Sequence, residues 1–322
     1  MWRKRCTRVL LGSESPRGSL RRTISRLSLI ALLSSCAVCK REAPAGPQFS
    51  SGPSSIAKPT YRFVIHPLYN PARLIQLYQP AIDYLNRRLT NARLVLEASR
   101  DYHKFEEKYR ARKGDFLLPN PWQALQAMKV GYRVIAMAGE PSDFKGLFVV
   151  RRDSPVKVPA DLKGKAVSYP ASTALAACLM PQLYLHDRGI DVNVDITNNY
   201  VGSQESSILN AYAGHTAVAA TWPPPWRAFQ KDHPQEASQL KVLWETEPLV
   251  NSAIMARDDL PATLVEEVRT LLLRLDGDSE GKAVLSGIET ARILPANDAD
   301  YEVVRRWVAR FEHEVHPVET QR

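Results

Sequence analysis

Two stretches of this chain repeat one pattern, and that pattern decides the fold. Residues 103–122 read HKFEEKYRARKGDFLLPNPW, and residues 204–226 read QESSILNAYAGHTAVAATWPPPW. Each stretch begins as an amphipathic helix, turns at a glycine, continues as a short apolar strand and ends in a segment rich in proline and tryptophan. The recurrence predicts two lobes of one architecture rather than a short tandem repeat.

The sequence around these stretches alternates strands and helices. Predicted strands lie at 61–65, 94–97, 116–118, 165–168, 193–197 and 216–220. A helix is predicted after the first strand, with Asn70 as its N-cap and Pro71 as its first residue. Such alternation is typical of a mixed sheet covered by helices.

We therefore expect an α/β chain in which each of two lobes holds one such sheet. Lobe 1 is predicted at 58–147 plus 250–322, and lobe 2 at 148–249. The short apolar runs 147–150 and 252–255 are the predicted crossovers between the lobes. Small ligands favour the cleft between two lobes.

The formal net charge of +9 belongs to the first part of the chain. Residues 1–41 hold ten basic side chains and one acidic side chain, and the rest of the chain has 33 of each. A neutral body argues against a nucleic-acid partner, because nucleic-acid binders carry a basic face. The basic run that ends at Arg26, the apolar run 27–33 and the small residues after it follow the order of a secretory signal. We predict a signal peptide at 1–35.

The signal ends in Leu33-Ser34-Ser35-Cys36, which resembles the lipobox of bacterial lipoproteins. That resemblance implies a diacylated Cys36 as the mature N-terminus, whereas an ordinary signal peptide is the alternative. Residues 36–57 are predicted to be a flexible linker, since proline, glycine, serine and alanine dominate the segment. The expected location is the periplasmic or cell-surface face of a bacterial membrane, with contact to the membrane through the lipid anchor only.

Motifs for catalysis or for metal binding are missing from the sequence. It contains no GxSxG, HExxH or P-loop pattern. His313 and His316 are three residues apart on a predicted helix, but no third ligand is near them in sequence. Ser172 has no general base beside it, which argues against a nucleophile. We predict no catalytic residue, no cofactor and no metal, and therefore a binding protein rather than an enzyme.

The body of the chain resembles a known family over residues 61–261. The resemblance is carried in order by Tyr-Gln-Pro at 78–80, Lys-Gly-Asp-Phe at 113–116, Val-Val-Arg-Arg-Asp-Ser at 149–154, Asp-Leu-Lys-Gly-Lys at 161–165, Ala-Ser-Thr at 171–173, Val-Gly-Ser at 201–203 and Arg-Asp-Asp-Leu-Pro at 257–261. The chain is similar to the PhnD-like components of ABC importers for phosphonate, phosphite and phosphate, which have the type II periplasmic-binding-protein fold.

This resemblance implies that the lobes close like a hinge around a small oxyanion and deliver it to an ABC permease. Two alternatives stay open. The chain could report its ligand to a membrane sensor kinase, or it could be an enzyme on the same fold, since a pyrimidine synthase for thiamine is related to it.

The chain departs from the family at positions that bear on the ligand. Members that hold an aminoalkyl phosphonate have acids in the loop that matches 221–226, and this loop has none. The family's Ser-Thr-Ser turn is Ser172-Thr173-Ala174 here, and Gln204 replaces a histidine. An ammonium group would lack a counter-charge in this loop, which is costly. We therefore expect an anionic ligand without an amine.

The predicted ligand-binding residues lie after strands or at helix starts. Ser172 and Thr173 begin a helix whose first amides are unpaired and favour an oxyanion, although each could be only an N-cap. The prolines beside these tryptophans suggest loops, so Trp122 and Trp222 are assigned to the cleft and Trp226 to the core. The complete predicted set is Tyr69, Asn120, Trp122, Tyr169, Ser172, Thr173, Ser203, Gln204, Thr221 and Trp222.

Overall fold

A computed structural model describes residues 58–318 of the chain. The predicted signal peptide, the lipidation site Cys36 and the linker at 36–57 lie outside the described residues. Within 58–318, no helix is long and apolar enough to span a membrane.

The described residues form eleven strands and ten α-helices. The strands are β1 (Thr60–Ile65), β2 (Arg93–Glu97), β3 (Phe116–Leu118), β4 (Tyr132–Ala138), β5 (Leu147–Arg151), β6 (Ala166–Tyr169), β7 (Thr197–Tyr200), β8 (Val218–Thr221), β9 (Leu240–Glu245), β10 (Ala253–Arg257) and β11 (Ile293–Leu294). The helices are α1 (Pro71–Arg88), α2 (Tyr102–Arg110), α3 (Pro121–Met128), α4 (Met180–His186), α5 (Gln204–Tyr212), α6 (Pro223–Asp232), α7 (Pro234–Ser238), α8 (Ala262–Leu273), α9 (Ser279–Gly287) and α10 (Glu302–Glu314).

The strands build two mixed sheets of equivalent topology. The first has the order β11-β4-β10-β3-β1-β2, and the second has the order β7-β6-β8-β5-β9. In each sheet three parallel strands are followed by an antiparallel strand, β10 in the first and β5 in the second. The predicted mixed sheets covered by helices are confirmed. We call the first sheet with its helices lobe 1 and the second lobe 2.

The chain passes between the sheets at 139–146 and at 246–252. The predicted crossover runs lie mostly in β5 and β10, so the chain crosses just before each of them. The two connections are paired, because the Gly146 amide donates to Thr246 Oγ1 at 2.8 Å and the Thr246 amide donates to the Gly146 carbonyl at 2.9 Å. A Cβ atom at Gly146 would lie 2.7 Å from the Ala176 carbonyl oxygen, so this close approach requires glycine.

The seventh strand lies later in the sequence than predicted. The prediction was 193–197, whereas β7 spans Thr197–Tyr200. The Asp191 carboxylate accepts a hydrogen bond from the Asn193 amide at 2.9 Å, and the Asp195 amide donates to the Asp191 carbonyl at 2.7 Å. These local bonds favour a turn over a strand.

The proline- and tryptophan-rich segments are helix starts, so the predicted loops are wrong. Pro121 is the first residue of α3, and Pro223 is the first residue of α6. Proline is well suited to the first helical position, because its missing N–H would have no intrahelical partner there. Asn120 and Trp222 are therefore N-caps.

Candidate ligand-binding site

Two small cavities lie between the lobes, and we call them the inner and the outer chamber. The inner chamber, about 10 Å³, is lined by His66, Tyr102, Asn120, Phe144, Ala174, Leu175, Ala176, Ala177, Gln204 and Trp222. The outer chamber, about 20 Å³, is lined among others by Tyr69, Tyr78, Asp143, Ser252, Thr290 and Trp222. Trp222 contributes to both chambers.

The cleft is the better candidate site, although a larger groove exists elsewhere. That groove, about 660 Å³, lies on lobe 1 alone, between α8, β4 and residues 295–300. The chambers instead lie beyond the carboxyl ends of β1, β3 and β8, where α/β sheets usually bind ligands.

His66 directly follows β1 and is neutral in the folded protein. Its Nδ1 lies 2.7 Å from the Leu118 carbonyl oxygen, which can only accept, so Nδ1 carries the proton. Burial lowers the pKa of His66 to about 4. The imidazole therefore presents no positive charge to the inner chamber near neutral pH.

The turn before α4 forms one wall of the inner chamber. After β6, residues 170–174 lead into a π-helical turn at Leu175–Leu179 that continues as α4. The predicted helix start at Thr173 is therefore two residues early. The first amides of a helix lack intrahelical acceptors and favour negative charge. Ala174 to Ala177 thus bring the positive end of this helix to the chamber.

Thr173 is held by two side chains from lobe 1. Its Oγ1 donates to Glu106 Oε1 at 2.8 Å, and its carbonyl accepts from Asn120 Nδ2 at 3.0 Å. A hydroxyl has only one proton to donate, so in this arrangement the Thr173 proton goes to Glu106. Asn120 lines the inner chamber itself and also caps α3.

Gln204 is fixed at the start of α5 by a side chain from β8. Its Oε1 accepts from Thr221 Oγ1 at 2.9 Å, and its Nε2 donates to the Tyr102 hydroxyl at 3.4 Å. All three side chains are buried. Gln204 and Tyr102 line the inner chamber from opposite lobes, whereas Thr221 lies behind Gln204.

The other predicted residues are spread over different environments. Tyr69 lines the outer chamber. Trp122 is buried in α3 and lines neither chamber. Tyr169, at the end of β6, is fully buried beside Tyr200. Ser203 caps α5 by accepting from the Ser206 amide at 3.0 Å. Ser172 is half-buried on the turn before α4.

Two arginines near the outer chamber are already paired with acids. Arg227 makes a bidentate pair with Asp143 at 2.8 and 2.6 Å, and Arg73 on α1 reaches Asp232 on α6 at 2.7 Å. Neither guanidinium lines a chamber. In the part of the chain that the structure describes, the inner chamber is therefore lined only by neutral side chains.

Sequence reasoning missed several residues of the inner chamber, namely His66, Tyr102, Phe144 and the run 174–177. A signal was present for His66, since it directly follows a predicted strand. Glu106, whose carboxylate bonds to Thr173, was also missed. Tyr102 and Glu106 belong to a helix whose buried face looks like ordinary core.

The two histidines near the C-terminus do not form a metal site. His313 lies in α10, whereas His316 follows the helix and has Nε2 3.2 Å from Gln182 Oε1. Over residues 58–318, no three side chains of His, Cys, Asp or Glu are grouped so that they could hold a metal ion.

Residues 63–301 match the family model described as the periplasmic substrate-binding protein of a phosphonate ABC transporter. The match covers well over half of the chain. The chain belongs to this family. Its members are substrate-binding components of transport systems, as the sequence resemblance predicted.

One relative is similar to about half of the chain. A probable phosphite-binding protein of an ABC transporter, PhnD1 of Prochlorococcus marinus, is 24% identical over 182 residues, which is 52% of this chain and 61% of that protein. This chain therefore spans less than two thirds of that relative's length.

Two solved structures superpose well at low sequence identity. A binding protein component of a phosphonate ABC transporter from Pseudomonas aeruginosa has a TM-score of 0.73 at 17% identity, covering 80% of this chain and 88% of that chain. PhnD1 of Prochlorococcus marinus in complex with methylphosphonate has a TM-score of 0.71 at 18% identity, covering 79% and 98%. At these identities the likeness shows the type II periplasmic-binding-protein fold.

Proposed function

We propose that this protein captures a small phosphonate-like oxyanion between its lobes and delivers it to the permease of an ABC importer. The observation that carries the proposal is the inner chamber, where a helix start and the polar side chains of Asn120, Tyr102 and Gln204 converge from both lobes. Amide, hydroxyl and backbone donors can hold an oxyanion without a basic residue. Chambers of about 10 and 20 Å³ are too small for such a ligand, so the lobes must open for entry.

A ligand screen tests the proposal directly. Phosphate, phosphite, methylphosphonate, methanesulfonate and sulfate are added to the purified protein, and thermal unfolding and calorimetry are recorded. A ligand at 100 times its Kd adds about 2.7 kcal/mol to the free energy of unfolding. Stabilisation by none of these anions would contradict the proposal.

A matched pair of variants tests whether the ligand binds in the inner chamber. Gln204→Glu puts a carboxylate into the chamber while Oε1 can still accept from Thr221. Gln182→Glu makes the same change at another buried glutamine of lobe 2, which contacts His316 instead. We expect Gln204→Glu to weaken oxyanion binding at least about tenfold, or about 1.4 kcal/mol, and Gln182→Glu to leave it unchanged. Equal losses in both would place the ligand elsewhere.

We further propose that the ligand is anionic and carries no amine, with its organic part against Trp222. The segment 221–226 supplies no acid, and an unpaired ammonium group is costly to bury. Calorimetry with 2-aminoethylphosphonate and with ethylphosphonate decides this point. Tighter binding of the amine would refute it.

We propose that the protein is a lipoprotein anchored through Cys36. The proposal rests on Leu33-Ser34-Ser35-Cys36 and the linker after it. Cys36→Ser should release the protein from the membrane fraction, whereas Cys39→Ser, three residues later, should leave it there. A Cys36→Ser protein that stays in the membrane fraction would exclude the anchor.

We propose that the partner is a permease rather than a sensor kinase. We also propose that the protein binds its ligand without changing it chemically. If the partner is a permease, depletion of the protein abolishes uptake of labelled methylphosphonate within minutes, before any transcriptional response. Mass spectrometry after incubation should recover methylphosphonate and protein unchanged. A chemically altered ligand or side chain would support an enzyme instead.

A further inference from the structure

Glu106 brings a buried carboxylate to the interface between the lobes. The side chain lies on α2 and the residue is 1% exposed. One carboxylate oxygen accepts from Thr173 Oγ1 at 2.8 Å and from Gln123 Nε2 at 3.5 Å, and the other accepts from Arg110 at 2.9 Å. Thr173 directly precedes the run 174–177 that lines the inner chamber. The carboxylate therefore lies behind the chamber wall formed by residues 174–177, at which an oxyanion would bind.

The charged and titratable groups around Glu106 are few. On its own helix, Arg110 is the paired cation, and the phenols of Tyr102 and Tyr109 have pKa values raised by burial. From α3 and from the turn before α4, the facing groups Gln123 and Thr173 are uncharged. His66, at the end of β1, is neutral above about pH 4 because burial lowers its pKa. Burial raises the pKa of Glu106 as well, and the Thr173 hydroxyl and Arg110 oppose that rise.

These groups leave the inner chamber lined by neutral side chains, with a negative charge behind one of its walls. The side chains that line the inner chamber within residues 58–318 are all neutral near pH 7, and the formal charge behind the wall is the Glu106 carboxylate. Arg110 meets that carboxylate with a side chain that is 40% exposed and is therefore better screened by water. A second negative charge on a ligand would find no cation and would be repelled by Glu106, more strongly in a buried site than in water.

On the basis of the proposed oxyanion function, we propose that Glu106 makes the cleft select a singly charged oxyanion over a doubly charged one. The ligand class is then a phosphonate or similar acid that keeps one proton. Glu106 acts through its charge from behind the chamber wall, and Thr173 holds its carboxylate in place.

The test compares two probes whose charges respond differently to pH. Methylphosphonate loses its second proton near neutral pH, as phosphate esters do at about pH 6, whereas methanesulfonate stays a monoanion. Calorimetry from pH 5.5 to pH 9 should show about tenfold weaker binding of methylphosphonate once it is a dianion, with methanesulfonate unchanged.

The variant Glu106→Gln removes the charge and keeps the shape and the acceptor for Thr173. Its methylphosphonate affinity should vary only about twofold over the same pH range. Glu107→Gln is the matched control, because Glu107 is the next residue on α2 but is exposed and paired with Lys104. It should keep the pH dependence of the parent protein.

The outcomes are distinguishable. Dianionic methylphosphonate bound as tightly as the monoanion, or an undiminished pH dependence in Glu106→Gln, overturns the role of Glu106 and leaves the oxyanion function intact. If no probe in the anion screen binds at any pH, both proposals are overturned. If Glu106→Gln does not fold, the comparison of the two probes on the parent protein decides, and a flat methylphosphonate profile refutes the selection.

Discussion

The two strand-to-helix junctions that meet at the cleft differ in whether the N-cap side chain forms a capping hydrogen bond. Junction 1 joins β3 to α3 at 119–120, and junction 2 joins β8 to α6 at Trp222. Asn120 caps α3 in a capping box, accepting from the Gln123 amide at 3.0 Å while Gln123 accepts from the Asn120 amide at 3.2 Å. Trp222 makes no side-chain cap bond and lines both chambers.

Junction 2 lacks the stabilisation that a capping side chain would give α6. A good N-cap contributes about 1 kcal/mol, and tryptophan cannot supply the oxygen that it needs. Places where a sequence breaks a local rule are often functional. Junction 2 places an aromatic surface at the cleft instead of a cap, whereas junction 1 combines capping with a polar contact across the lobes.

The largest expected effects are those of replacing the two junction tryptophans, which should differ in ligand affinity. Both Trp122 and Trp222 are buried, so replacement of either by alanine should lower the free energy of unfolding by about 3–5 kcal/mol. Trp222→Ala should also weaken methylphosphonate binding about tenfold or more, because its ring lines the chambers. Urea unfolding and calorimetry measure the two effects.

Phenylalanine variants control for loss of the fold. Trp122→Phe and Trp222→Phe keep most of the packing, so both should be folded at the assay temperature. We expect weaker binding only in Trp222→Phe. An equal loss of affinity in both would mean that the two junctions do not differ in the way described.

The second prediction concerns the histidine that supports junction 1. His66 Nδ1 donates to the carbonyl of Leu118, the last residue of β3. Its folded pKa of about 4 lies below the ordinary value of 6.5, so the unfolded chain binds more protons between these values. Stability should therefore fall as pH drops from 6.5 to 4, by about 3 kcal/mol in total, and the contribution should be constant below pH 4.

His66→Asn should remove this slope, since asparagine can still donate to the Leu118 carbonyl but does not titrate. His103→Asn is the control, because His103 lies on α2 against Glu107 and does not contact junction 1. Free energies of unfolding in urea between pH 4 and pH 7 give both slopes. An unchanged slope in His66→Asn would show that other groups carry the acid sensitivity.

The third prediction tests the hydroxyl that ends β8 at junction 2. Thr221 is fully buried and donates to Gln204 Oε1 at 2.9 Å. Thr221→Val keeps the shape but leaves a buried amide oxygen unpaired, which should cost about 2 kcal/mol. Thr197→Val, at an exposed position of β7, should change the free energy of unfolding by less than about 0.5 kcal/mol. Similar losses in both variants would argue against the Gln204 contact.

The sequence predicted the architecture because the decisive patterns are local. Strand–helix alternation and the repeated helix–glycine–strand unit need only neighbouring residues to be recognised. Asn70-Pro71 was correctly interpreted as a helix start, and the structure confirms that Asn70 accepts from the Arg73 amide. The same proline signal at Pro121 and Pro223 is hidden by further prolines close by, at Pro119 and at 224–225, which favour a loop.

The candidate site was only partly predictable, because the cleft combines residues that are distant in sequence. Asn120, Gln204 and Trp222 were predicted and line the inner chamber. Glu106 was missed, since its bond to Thr173 joins residues 67 positions apart. On an amphipathic helix with Phe105 and Tyr109, a neighbouring glutamate is normally solvent-exposed, whereas here Gln123 of α3 and Thr173 of lobe 2 both donate to its carboxylate.

The smallest expected effect is on the free energy of unfolding, and it distinguishes the two roles of Asn120 at junction 1. Its Oδ1 caps α3, and its Nδ2 donates to the Thr173 carbonyl in lobe 2 at 3.0 Å. Asn120→Ser keeps a capping oxygen but is too short to reach Thr173, whereas Asn120→Ala loses both contacts. We expect Asn120→Ser to cost about 1 kcal/mol from the lost bond, and Asn120→Ala about 1 kcal/mol more from the lost cap.

Ligand affinity then distinguishes the cap from the contact between the lobes. Both Asn120 variants should weaken methylphosphonate binding to the same extent, because each removes the only Asn120 donor that reaches lobe 2. Asp101→Ala is the control, since Asp101 caps α2 by accepting from the Lys104 amide at 2.8 Å and should cost about 1 kcal/mol of stability without a change in affinity. If Asn120→Ser binds like the parent protein while Asn120→Ala does not, capping alone matters at junction 1. The two junctions would then differ in stability but not in how they serve the cleft.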